Sequence, residues 1–62
     1  MSLQEFAALV AKHAKAVRAE YRSLEAGVQL AAKHGCRTIE DGIREEARRR
    51  AIAEAKRAGA TS

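Results

Sequence analysis

The sequence contains no proline, a single cysteine and, as aromatic residues, only Phe6 and Tyr21. Proline is the residue that most strongly breaks helices, so its absence leaves long helices possible. One cysteine excludes an internal disulfide. Two aromatic residues are too few for a platform on which nucleic-acid bases stack. The chain also lacks a long uncharged apolar run, so the sequence predicts no membrane-spanning helix.

Residues that carry chemistry are equally sparse. The sequence shows no serine, histidine and acid set, no glycine-rich phosphate loop and no paired carboxylates suited to catalysis. His13, His34 and Cys36 are not spaced as metal ligands, so we expect them to serve packing and helix-end roles. The sequence therefore predicts a non-enzymatic protein without a cofactor, a metal or a small-molecule substrate. A lone cysteine without a signal-peptide pattern predicts the reducing cytoplasm.

What the sequence does contain is two signals for the start of a helix. Ser2 precedes Glu5 by three positions, and Thr38 precedes Asp41 by the same spacing. In such a pair the hydroxyl accepts from a free backbone N–H of the first turn, while the acid reaches back to the cap. We therefore expect two helices, one beginning at residue 3 and one at residue 39.

Glycines mark where both helices end. Gly35 and Gly59 each follow a helical run, where a left-handed residue closes the last turn. The predicted elements are a helix at about 3–34, a turn at 35–37, a helix at about 39–58 and a frayed tail at 59–62. So short a connection predicts antiparallel neighbours. The predicted fold class is all-α, a single domain of residues 1–62 that forms an antiparallel helical hairpin.

An apolar seam runs along the predicted long helix. Two series with seven-residue spacing, four positions apart, make a heptad pattern. The series are Leu3, Val10, Val17, Leu24 and Ala31, and Ala7, Ala14, Tyr21 and Val28. Gly27 interrupts the helix only as a weak point or a site of close approach.

The two predicted helices differ in length, at about 50 Å and about 30 Å for 1.5 Å per residue. The shorter helix would leave the N-terminal part of the seam uncovered, which is unfavourable on a monomer. We therefore expect a homodimer in which two hairpins form a four-helix arrangement and bury Leu3, Phe6, Leu9 and Val10. The alternative is that this cluster is the docking site for a different protein. The expected dimer interface is Leu3, Phe6, Leu9, Val10 and Val17.

The formal net charge is +4, and part of it is predicted to line the long helix opposite the seam. Five cations, at positions 12, 15, 18, 22 and 33, fall within one arc of about 120° there, with Arg22–Glu25 as the one obvious pairing within the helix. A solvated face is one interpretation, and a face that binds an acidic partner is the other. Tyr21 would contribute either to binding or to core packing. The predicted partner-binding residues are Lys12, Lys15, Arg18, Arg22 and Tyr21.

The second helix contains three consecutive arginines, 48–50. They could contact phosphates, but acids one turn upstream favour a salt-bridged, exposed helix. The acid-before-base pairs at four-residue spacing are Glu40–Arg44, Glu45–Arg49 and Glu46–Arg50.

Two classes of function remain open. The first is a small regulatory or inhibitory protein that docks on a larger protein through helical faces, the partner offering an acidic or apolar groove. The second is a dimeric nucleic-acid-binding regulator that uses the cationic face of the long helix on an RNA or DNA backbone. The modest charge and the lack of stacking aromatics favour the first class.

Overall fold

The computed structural model describes residues 2–59, which form three helices and no strand. α1 is Leu3–Glu20, α2 is Leu24–Lys33 and α3 is Ile39–Gly59. The all-α class is confirmed, and α3 confirms the helix expected at 39–58. The single helix expected at 3–34 is wrong, so the fold is not a two-helix hairpin. The tail expected at 59–62 lies outside the described residues, apart from the last residue of α3.

Local hydrogen bonds build the interruption at 21–23. The N–H of Tyr21 donates to Val17 O at 2.9 Å, which closes the last turn of α1. Ser23 then has extended backbone angles, and its Oγ accepts from Ala26 N–H at 3.1 Å. This is an N-cap, so α2 begins as a new helix. Ser23 does not match the capping-box pattern, because the residue three positions later is Ala26 and not an acid.

The connection between α2 and α3 follows the predicted chemistry. Gly35 has φ +66°, and the N–H groups of Gly35 and Cys36 donate to Ala32 O at 3.1 Å and Ala31 O at 2.8 Å. These two bonds define a Schellman motif. Thr38 Oγ1 accepts a backbone N–H of the first turn of α3 at 3.1 Å. The predicted glycine stop and threonine cap are both confirmed.

α3 lies between the other two helices, and each of them packs against it. The most deeply buried large side chains are Val17 of α1 and Leu30 of α2. They form one cluster with Ala14, Ile43 and Ala47. α1 and α3 run in opposite directions. The earlier residue of α1, His13, pairs with the later residue of α3, Glu54, and the later residue, Arg18, pairs with the earlier one, Glu40.

α2 and α3 make their closest approach through glycines. A Cβ built on Gly42 would lie 2.8 Å from Ala31 Cα, and one built on Gly27 would lie 2.7 Å from Ile39 Cγ2. Real Cβ atoms do not approach other heavy atoms so closely, so only glycine fits at these positions without a shift. The close-approach interpretation of Gly27 is confirmed.

The contacts between α2 and α3 advance in the same direction along both helices. In chain order the pairs are Gly27 with Ile39, Ala31 with Gly42 and His34 with Glu46. The antiparallel arrangement expected across the turn is therefore wrong. Five residues, 34–38, connect the helices, and they lead back along α2 so that α3 begins beside Gly27. Within residues 2–59, no helix has both the length and the apolar character needed to cross a membrane.

Candidate interaction surface

α2, which begins at the Ser23 cap, packs one of its sides against α3. Gly27, Leu30 and Ala31 are buried on that side. Leu24 and Val28 lie one turn apart in the first half of α2, and they are 74% and 53% exposed. Side chains four positions apart on a helix are neighbours, so these two form a small apolar face, which we call the α2 outer face.

Two other large apolar residues of the described chain are exposed, at separate places in the fold. Leu3 at the start of α1 is 85% exposed and Ile52 on α3 is 38% exposed. Of the remaining residues assigned to a dimer interface, Phe6, Leu9 and Val10 are half-buried, and Val10 packs on the core. Val17 is fully buried within the chain. The expected lack of intrachain cover is therefore wrong for Val10, because α1 packs against the long α3.

The cations of α1 divide into two groups. Lys12 Nζ lies 3.5 Å from Glu54 Oε1, and Arg18 pairs with Glu40. The expectation that these two lack matching acids is wrong, since the acids come from α3. Lys15 and Arg22 are exposed, and neither has an ion pair within 4.0 Å among the described residues. Tyr21, the fifth predicted partner-binding residue, is half-buried against the core cluster.

Arg50 joins α3 to α1 through a network of ion pairs. Its Nη1 and Nη2 donate to the Glu20 carboxylate at 2.7 Å and 2.9 Å, and its Nε donates to Glu46 Oε2 at 3.0 Å. The neighbouring Arg48 and Arg49 lie 3.8 Å and 3.4 Å from Glu45. All three arginines of the run therefore have acid partners. The predicted Glu45–Arg49 and Glu46–Arg50 pairs are confirmed, while Glu40 pairs across to α1 instead of with its helix neighbour.

These contacts shift the titration of the acids. The bidentate hydrogen bond from Arg50 lowers the pKa of Glu20, and hydrogen bonds to both acids raise the pKa of Arg50. A hydrogen bond from His34 is the main cause that lowers the pKa of Glu46, against an opposing desolvation, and Arg50 adds to it. Desolvation acts to raise the pKa of Glu54, but His13 and Lys12 outweigh it, so that pKa is also lowered.

Both histidines bridge a helix to α3. His13 Nε2 and His34 Nε2 donate to Glu54 Oε1 and Glu46 Oε1, each at 2.9 Å. Cys36 is half-buried, and its Sγ lies 3.8 Å from His34 O. Within the described part of the chain we find no cavity of ligand size and no cluster of three potential metal ligands. His13 and His34 at the edge of the core thus connect the helices to α3.

Comparison with known protein families, with curated protein sequences and with solved structures finds no significant match.

Proposed function

We propose that this chain is a small, cytoplasmic, non-enzymatic regulatory protein that docks on a larger protein through the α2 outer face. The observation that carries the proposal is the exposure of Leu24 and Val28 at 74% and 53%. Neighbouring large apolar side chains on one helical face are a typical anchor for helix-in-groove recognition. Burying both in a partner would remove their apolar surface from water, at about 25 cal/mol per Å².

The charges beside this face indicate the chemistry of the partner. Arg22 stands two residues before Leu24, exposed and without an ion pair within 4.0 Å among residues 2–59. Lys15 is the second such cation among the predicted partner-binding residues, and the chain as a whole carries +4. We therefore expect an apolar groove with an acidic rim, where arginine binds carboxylates well. Lys12 and Arg18 hold α1 on α3 in this proposal and are not assigned to the partner.

Nucleic acid is the weaker candidate. The densest basic segment, Arg48 to Arg50, is occupied by Glu45, Glu46 and Glu20. A phosphate backbone would have to compete with those acids for the same guanidinium groups. Among residues 2–59, the cations without an acid within 4.0 Å are distributed over α1, the connections and α3.

Affinity capture with matched variants tests the proposal. Val28→Glu places a charge in the α2 outer face, and Ile52→Glu places the same charge at an exposed apolar residue of α3. Both should keep the helix content of the wild type by circular dichroism. We expect proteins retained by the wild type and by Ile52→Glu to be lost with Val28→Glu.

Two outcomes would contradict the proposal. One is retention of the same proteins by Val28→Glu. The other is binding to generic duplex DNA or structured RNA that falls steeply with salt and that Lys15→Glu with Arg22→Glu abolishes, which would favour the nucleic-acid function.

A further inference from the structure

We draw no further inference here: the strongest candidate beyond the α2 outer face, the apolar surface patch of Leu3, Phe6 and Leu9 on the first turns of α1, carries nothing because nothing in the structure shows what covers it.

Discussion

The two interfaces of α3 differ in how closely the backbones approach each other. Against α1, α3 uses interlocking side chains, with Val17 and Ala47 fully buried and ion pairs such as Arg50–Glu20 along the margin. Against α2, its closest approach depends on missing side chains, because Gly42 lets the backbone of Ala31 come into contact.

This difference determines what each interface tolerates. An interface of side chains weakens in proportion to the atoms or charges removed from it. An interface in which two backbones are in contact is, in addition, destabilised when a single methyl group is added between them. Only the first kind was visible in the sequence as an apolar or charge pattern.

The largest expected effect removes the deepest side chain of α2. Leu30 is 2% exposed, so Leu30→Ala should lower the free energy of unfolding by about 2–4 kcal/mol. Leu24→Ala, in the same helix, removes the same atoms from a position that is mostly in water and should change it by less than about 0.5 kcal/mol. Urea unfolding followed by circular dichroism measures both. Equal losses would mean that α2 packs on α3 through a different face.

The second prediction adds atoms instead of removing them. In Gly42→Ala the new Cβ would meet Ala31 Cα at 2.8 Å, which should destabilise the fold by about 1–3 kcal/mol despite the better helix propensity of alanine. Gly59→Ala has nothing within 4 Å of the new Cβ and serves as the control, with no loss of stability expected. A Gly42→Ala variant as stable as wild type would show that the backbones are farther apart.

The third prediction concerns the pH dependence of stability that arises from the acids paired between helices. Contacts with Arg50, His34 and other groups lower the pKa of Glu20, Glu46 and Glu54 in the folded state, while the unfolded value is about 4.3. The stabilisation is therefore present above about pH 4.3 and is lost as the pH falls through the folded pKa values.

Thermal unfolding between pH 7 and pH 3 measures this dependence. Glu46→Gln should flatten it, and Glu25→Gln should not, because Glu25 is exposed and has no ion pair within 4.0 Å among the described residues. If stability falls with pH equally in the wild type and in Glu46→Gln, the acid dependence does not come from the pairs that Glu46 makes.

The smallest expected effect comes from removing the ion pairs of Arg50, which connect α3 to α1. Arg50→Gln removes the bidentate contact with Glu20 and the bond to Glu46, and we expect a loss of about 1 kcal/mol. Arg44→Gln, on the same helix, removes an exposed guanidinium without an ion pair within 4.0 Å among residues 2–59. Chemical unfolding should distinguish the two variants. If the two variants are equally stable, the ion pairs of Arg50 with Glu20 and Glu46 do not stabilise the fold.

Local signals in the sequence predicted the parts of the fold that local bonds determine. Thr38 as a cap, Gly35 as a stop and α3 as a helix all depend on contacts within five residues, and all were predicted. The break at 21–23 was missed because the heptad pattern continues through it without a change of phase. Ser23 followed by Glu25 was the available signal, and it is weaker than the capping box that marks the other two helices.

The candidate surface was less predictable. The cationic stripe was inferred from α1 alone, and α3 supplies Glu54 and Glu40 to two of its members. Which acids reach across depends on the packing of the helices, and no spacing within one helix encodes that. The exposure of Leu24 and Val28 has the same origin, because which seam residues are covered depends on where α3 packs along α2, and Ala31 of the same seam is buried there.

The central claim is that α1 and α2 are separate helices in the monomer, so that the α2 outer face is exposed. Backbone chemical shifts of residues 17–28 test it most directly, at a concentration where the chain sediments as a monomer. We expect helical Cα shifts up to Glu20, loss of helical shifts at Arg22 and Ser23, and helical shifts again from Leu24. Uninterrupted helical shifts through residues 17–28 in the monomer would contradict the claim.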